Sequence, residues 1–349
     1  MVADPPLEPL ERLLARRAAT SAPLALSEIA GGASLRRFFR VTRPAAASVI
    51  AMYVPAATPE VVKARELGRR WAFLEIRELL AARGVRVPAL LAEDCDSGWL
   101  LVEDLGETLA QRLTRAPGEQ LELYGVAVND LANAQRALAD LPLDSVIRTR
   151  AFDYKLLRWE LEHFREWGLL ARGVALTAED HDIFTSAAHY LAQTIANLSR
   201  GFVHRDYQSR NLMVPAEPHP TQLGWIDFQD ALLGPRVYDL VALLGDSYQS
   251  FTPSFIEQRL LAYAQQRGLA SEVAALQREF QLVMVQRKLK DAGRFVFIEK
   301  NKGDASFLEF IAPTLELVRR SLQALTDDVA LHPLRERLER WTPRIVAGG

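Results

Sequence analysis

Apolar residues recur along the chain with two different periods, and the change from one to the other divides it. Between residues 24 and 54 the pattern is that of short strands. Leu24–Ile29, Leu35–Val41 and Val49–Val54 are three such runs, separated by a Gly31-Gly32-Ala33-Ser34 turn and a polar turn at Thr42–Ser48. Residues 87–102 add a hairpin, with a charged turn at Glu93–Gly98 before Trp99-Leu-Leu-Val102. Leu7, Leu10, Leu13 and Leu14 are spaced as one face of a helix ahead of these strands. Residues 59–83 read as a single helix: Pro59 suits the first turn, Leu67, Trp71, Leu74 and Leu79 form the stripe, and Gly84 closes it.

Past residue 106 the period is helical almost throughout. Residues 107–140 carry Leu109, Leu113, Leu121, Tyr124, Val128, Leu131 and Leu138 on apolar positions, with Pro142 as the stop. Further helices are read at 152–170, 179–198, 254–270, 272–300 and 307–326. The pattern predicts an α+β protein with two lobes. A small β-rich N-lobe spans 1–102, Glu103-Asp104-Leu105-Gly106 is the hinge, and residues 107–349 form a larger, mainly helical C-lobe.

Composition narrows the class. A length of 349 residues suits two lobes, and 49% hydrophobic with 25% charged residues is ordinary for a soluble globular protein. A formal charge of -2 argues against a broad nucleic-acid surface. One cysteine, Cys95, excludes an internal disulfide and a cysteine zinc cluster; it reads as a small, half-buried hydrophobe. No apolar run reaches membrane-spanning length, and Asp4, Glu8 and Glu11 interrupt any signal-like core. The expectation is a cytoplasmic monomer with neither a nucleic-acid nor a membrane partner. His163, His181 and His189 lack metal-ligand spacing and read as structural or surface residues.

The chemistry concentrates in Gly201–Asp227. Asp206 follows His204-Arg205, Asn211 stands five positions after Asp206, and Asp227 ends a short apolar run after a Pro-rich connection. This is the spacing H-R-D-x-x-x-x-N with a later aspartate. Phosphoryl transfer needs a carboxylate to orient a hydroxyl and accept its proton, and oxygen ligands for Mg²⁺ on the nucleotide phosphates. Asp206 suits the first task; Asn211 and Asp227 suit the second. A polar loop between strands is the plain alternative, and the complete pattern makes it the weaker one.

Other candidates carry less signal. Gly31, Gly32 and Ser34 suit backbone approach to phosphates, or an ordinary hairpin turn. Backbone groups of Glu103 and Leu105 suit an adenine edge, or a simple connection. The third strand holds no lysine to anchor phosphates: Met52 or Tyr53 stands there. Arg36, Arg37 and Arg40 are the substitutes, against their reading as surface residues. Glu66 and Glu75 are the candidates for a helix acid. Asp153 caps its helix or faces substrate. Asp239, ahead of an apolar run, caps its own helix or accepts bonds from catalytic-loop N–H groups. The basic run Arg287, Lys288, Lys290, Arg294 reads first as a solvated face and second as an approach to an anionic substrate.

His204–Asn211, Ile226-Asp-Phe-Gln-Asp230 and Gly234-Pro-x-x-Tyr-Asp-Leu240 resemble the aminoglycoside phosphotransferase superfamily of small-molecule kinases. Ala33–Arg40, Leu101–Gly106 and Gln286-Arg-x-Leu-Lys-x-x-Gly293 resemble its cell-wall-recycling branch, which phosphorylates N-acetylmuramate and N-acetylglucosamine at the anomeric hydroxyl. The resemblance implies a protein-kinase-like fold, ATP with Mg²⁺, a small sugar substrate, Asp206 as base, and Asn211 and Asp227 as metal ligands. Gln229 departs from the Gly that protein kinases place after Asp-Phe. An aminoglycoside kinase is the first alternative, but its polycationic substrate calls for an acidic cleft that the C-terminal helices do not supply. A pseudokinase is the second, motivated by the missing lysine and opposed by the intact Asp206, Asn211 and Asp227.

Overall fold

In a computed structural model the described residues are 4–17, 25–29, 35–44, 47–217 and 219–348. They form two compact units. The first comprises Met1–Thr108 and Met213–Gln229, and the second Leu109–Leu212 and Asp230–Gly349. The segment 213–229, assigned from the sequence to the C-lobe, lies with the first unit.

The first unit is built on a five-stranded antiparallel sheet. Its strands are β1 (Ala25–Ile29), β2 (Arg37–Thr42), β3 (Val49–Tyr53), β4 (Leu90–Asp94) and β5 (Trp99–Glu103), in the order β1-β2-β3-β5-β4. The register sets Phe39 opposite Ala51 and Ala51 opposite Leu101. That row faces helix α1 (Leu7–Arg17), whose Leu10, Leu13 and Leu14 complete one apolar cluster with Val41 and Trp99. The helical spacing of those leucines is the cause, since it gathers them on one stripe. The indole N–H of Trp99 donates to the Pro6 carbonyl (2.8 Å) and fixes the approach of the helix.

The single helix expected over 59–83 is two helices, α2 (Pro59–Glu66) and α3 (Ala72–Ala82). Gly68 takes φ +60° just past α2, a left-handed stop that a side chain resists. Leu67 is consequently exposed, and Ile76 and Leu80 fill the core beside Leu74. A second sheet in this unit joins β6 (Glu107–Thr108) to the strand that returns after residue 212.

The second unit is mostly helical. The expected helix 107–140 begins as strand β6 and is broken at Pro117 into α4 (Leu109–Arg115) and α5 (Gln120–Ala137). Proline cannot donate the next helical bond, which accounts for the break. Next come α6 (Tyr154–His163), which continues as a wide π-type turn through Phe164–Leu169, and α7 (Ala178–Ala196). Asp153 caps α6 by accepting from the Leu156 N–H (2.8 Å). Strand β7 (Arg200–Val203) leads to β8 (Leu212–Val214) and β9 (Gly224–Trp225), and β10 (Leu232–Pro235) pairs antiparallel with β7. Helices α8 (Tyr238–Leu244), α9 (Pro253–Gln266), α10 (Val273–Lys302), α11 (Ile311–Ala324) and α12 (His332–Ala347) complete the unit. The central element is α10, with sixteen buried residues. No helix among the described residues is long and apolar enough to cross a membrane.

Candidate active site

In the second unit β7 delivers the chain to His204, which is fully buried, and the loop then turns sharply. Arg205 sits at φ +85°. Strained backbone of this kind persists only where surroundings hold it, and here Asp239 does so. Its Oδ2 accepts the His204 N–H (2.7 Å) and its Oδ1 the Arg205 N–H (3.0 Å). Of the two roles read for Asp239, the structure selects the loop clamp. Burial pushes its carboxyl up to about 7, against the lowering effect of those two bonds. Asp246, also buried, holds the far end of the loop by accepting from the Ser209 N–H (2.9 Å) and hydroxyl. Nothing singled out Asp246 in the sequence, yet the signal was the same: a carboxylate beside an apolar run needs partners.

Asp206 emerges from this clamped turn with its side chain 38% exposed. Asn211 locks the loop from within: its Nδ2 donates to the Asp206 carbonyl (2.9 Å), leaving Oδ1 as the acceptor end of the amide. The group that faces the Asp206 carboxylate comes from α10. Arg287 Nη2 lies 3.4 Å from Asp206 Oδ1, and Nη1 donates to the Arg205 carbonyl (2.8 Å). Its guanidinium also stacks over the Tyr238 ring at 4.9 Å. Burial would raise the Asp206 carboxyl, but Arg287, Lys290, Arg205 and His204 outweigh it and hold the group below the usual carboxylate range.

The basic run therefore corrects its first reading. Arg287 and Lys288 are each only 2% exposed, so the segment is no solvated face. Lys288 bonds Asp291 (2.9 Å) and the Ser247 hydroxyl (3.2 Å), and Lys290 pairs with Asp291 (2.8 Å). Three cations gathered on the half-buried Asp291 carboxylate hold it well below its usual range, against the opposing effect of desolvation. Asp291, inside the run itself, neutralises the two lysines, whereas the contacts of Arg287 with Asp206 and the Arg205 carbonyl come from a distant segment.

In the first unit Asp227 also has positive φ, +65°. Among the described non-glycine residues only Arg205, His219 and Asp227 do, and two of these belong to the motif. Asp227 is exposed, and its Oδ1 accepts from Gln229 Nε2 (2.8 Å), which gives a local use for the glutamine that replaces glycine. The buried Phe228 ring stacks on Phe73 (5.1 Å between centroids) and anchors the turn from behind. Asn211 and Asp227 are hard oxygen donors, suited to Mg²⁺, which keeps few protein ligands and completes its shell with phosphate oxygens and water. Among the described residues no three His, Cys, Asp or Glu side chains gather as a self-sufficient metal cage.

The remaining candidates are placed as follows. Gly31, Gly32 and Ser34 lie outside the described residues. The Glu103 N–H is committed to the Ala89 carbonyl (2.9 Å), and its carboxylate pairs with Arg86. The Leu105 side chain packs where Gly224 has none. Asp104 holds the connection at 103–106: its carboxylate binds Arg40 (2.7 Å), the Ser48 hydroxyl (2.7 Å) and the Gly106 N–H (3.0 Å). Of the three arginines, Arg37 pairs with Glu28 at the sheet edge, whereas Arg36 is buried against Glu60 of α2. Glu60 Oε1 also accepts the Phe73 N–H (2.6 Å), joining α2 to α3. Of the expected helix acids, Glu75 binds Arg69 (2.8 Å), and Glu66 is exposed. Glu60 was missed because its partner lies 24 residues earlier. Burial pushes the Cys95 thiol up to about 11, leaving it an unreactive, half-buried group.

The model of the phosphotransferase enzyme family matches residues 25–276. A protein of Pseudomonas putida named N-acetylmuramate/N-acetylglucosamine kinase is 34% identical over 290 residues, 81% of this chain and 79% of the relative. One of the same name from Neisseria meningitidis is 29% identical over 318 residues, 88% and 89% respectively. Among solved structures, the GDP complex of wild-type aminoglycoside 2'-phosphotransferase-IIIa superposes with a TM-score of 0.59 at 16% identity, covering 90% of this chain and 97% of the other. A choline kinase from Streptococcus pneumoniae gives 0.55 at 14% identity, covering 91% and 99%. At such identities these likenesses establish the two-lobed kinase-like fold.

Proposed function

This chain belongs to the phosphotransferase enzyme family, and we propose that it transfers the γ-phosphoryl group of ATP to the anomeric hydroxyl of an N-acetyl amino sugar. The reading rests on one local observation above others. Asp206 is ionised, open to solvent, and held by a clamped turn whose carbonyl Asn211 grips. The shared name of four relatives supports the amino sugar as acceptor, N-acetylmuramate and N-acetylglucosamine being the two candidates.

In this reading Asp206 accepts a hydrogen bond from the sugar hydroxyl, aims its oxygen at the γ-phosphorus and takes its proton as the new P–O bond forms. Asn211 Oδ1 and the Asp227 carboxylate would each offer an oxygen to Mg²⁺, which would neutralise charge on the nucleotide phosphates. Backbone groups at Glu103 and Leu105 meet the adenine edge, with the Leu105 N–H as donor since that of Glu103 is engaged in the sheet. Gly31, Gly32 and Ser34 would offer backbone N–H groups to the phosphates.

The test is a panel of N-acetyl hexosamines and aminoglycosides incubated with Mg²⁺ and ATP and followed by phosphorus NMR. A sugar-1-phosphate resonance from an N-acetyl hexosamine is expected. Phosphorylated aminoglycoside with no sugar phosphate would transfer the assignment to antibiotic modification. Asp206→Asn should lower kcat by about 10²- to 10⁴-fold and leave nucleotide affinity within about 3-fold. Near-full turnover by that variant would sink Asp206 as the base.

A further inference from the structure

The second unit holds a cation that no carboxylate pairs with among the described residues. Arg294 lies seven residues after Arg287 on α10, two turns along and on the same face. It is half-buried, and its guanidinium sits over the Phe297 ring at 4.7 Å. Among the described residues no carboxylate pairs with it, whereas Arg287, Lys288 and Lys290 each have one. Its charged neighbours are Arg205, which repels it, and Asp206, the acceptor-orienting group. A guanidinium withdrawn from water without a partner is costly, so its retention points to an anion supplied from outside.

An aromatic wall continues from the same spot. Phe297 stands 5.3 Å from His163 and 5.1 Å from Trp167, and His163 stacks against Trp159 at 5.7 Å with the planes 25° apart. Trp159 is 60% exposed, an indole face offered to solvent at the end of this buried stack. His163 is buried with its Nε2 unpartnered among the described residues, and burial, with Arg294 and Lys290 nearby, lowers it to about 4, so its ring backs the indole as a neutral aromatic. Gly293 lets the two elements meet this closely. A Cβ there would stand 2.8 Å from Phe164 Cα and 3.0 Å from the His163 carbonyl. Glu160, one residue beyond Trp159, reaches Gln286 of α10 (2.8 Å) and lies 3.8 Å from Arg205, tying the wall to the catalytic loop.

We propose that Trp159 and Arg294 form the acceptor subsite: the indole takes the apolar face of the pyranose, and the guanidinium takes a carboxylate carried by the sugar. This rests on the amino-sugar kinase reading and deepens it. Pyranose rings present C–H faces that stack on tryptophan, and a planar guanidinium binds a carboxylate through two parallel hydrogen bonds. N-Acetylmuramate carries such a carboxylate on its lactyl ether, and N-acetylglucosamine does not. The pair would therefore admit both sugars and favour the acidic one.

The test compares kcat and KM for the two sugars in wild type, Arg294→Gln, Arg294→Lys, Trp159→Ala and Trp159→Phe, with nucleotide affinity as a folding control. Arg294→Gln should raise KM for N-acetylmuramate by about 10- to 100-fold more than for N-acetylglucosamine, with Arg294→Lys recovering part of the difference. Trp159→Ala should raise both KM values by about 10-fold, with Trp159→Phe recovering most of it. Equal losses for both sugars in Arg294→Gln, or unchanged KM values in both truncations, would overturn the subsite while leaving the kinase assignment intact. A wild-type protein that binds nucleotide and phosphorylates neither sugar would remove the functional reading and the subsite together.

Discussion

Among the described residues Arg287 is the one cation that touches the Asp206 carboxylate, and the effect of Arg287→Met follows from the geometry. At 3.4 Å and an effective dielectric constant of about 20, the attraction is about 5 kcal/mol. Asp206 is 38% exposed, so water screens the pair, and about 1–2 kcal/mol is the usable part. That equals about one pKa unit. The sign is fixed by the present state. Burial pushes Asp206 up, and Arg287 leads the charges that hold it low. Without Arg287 the carboxyl rises, and the acid limb of kcat/KM moves up by about one pH unit.

The loss extends to position. The methionine cannot donate to the Arg205 carbonyl, so a clamped turn loses one of its ties, and kcat on the plateau should fall by about 10-fold or more. Arg287→Lys supplies the charge without the planar two-pronged hold, so it should restore the limb and leave the plateau low. The assay is kcat/KM against pH, confined to the range where circular dichroism shows the fold intact. An acid limb that stays put in Arg287→Met while the plateau falls would refute the electrostatic role and leave Arg287 as packing.

Two further outcomes follow from the same region. His163 is lowered to about 4 chiefly by burial, so its neutral form is favoured by the fold. That contribution is fully present above about pH 6.5 and is lost as pH falls toward 4, by at most about 3 kcal/mol. Asp239, held up at about 7, slopes the other way in both proteins, so urea midpoints across that window should rise less with pH in His163→Phe than in wild type; equal slopes would remove His163 as the source. Gly293→Ala should cost about 1–3 kcal/mol, since both crowding atoms are backbone and cannot swing aside. A loss under about 0.5 kcal/mol in the same denaturation assay would show that α10 and the turn after α6 separate freely.

The features that sequence reading placed correctly are those whose cause is local. The three N-terminal strands follow from alternation within a few residues, and α1 from four leucines on one stripe. The His204–Asn211 loop is contiguous, and Asp239 was suspect because a carboxylate ahead of Leu240-Val-Ala-Leu-Leu needs donors. What failed depended on distant partners or on a single backbone angle. The break between α2 and α3 rests on one left-handed glycine, Gly68, inside an otherwise continuous apolar pattern. The burial of Arg287 rests on Asp206 and the Arg205 carbonyl, both more than 80 residues earlier. Arg36 looked like a surface residue because Glu60, which makes it a buried one, was not paired with it.

The surroundings of Asp206 bear on what it is asked to do. A carboxylate held below its usual range is a weak proton acceptor, which is an odd choice if abstracting the hydroxyl proton limits the rate. In a loose phosphoryl transfer the bond to the incoming oxygen is little formed at the transition state, so that proton is still weakly acidic and leaves late. Orientation of the hydroxyl then matters more than basicity. The loop is arranged for orientation: Asp239 and Asp246 fix its two ends, Asn211 grips its middle, and Arg287 holds both the carboxylate and the preceding carbonyl. In the proposed reaction the cations that depress Asp206 would keep it ionised and draw in the phosphoryl charge it meets.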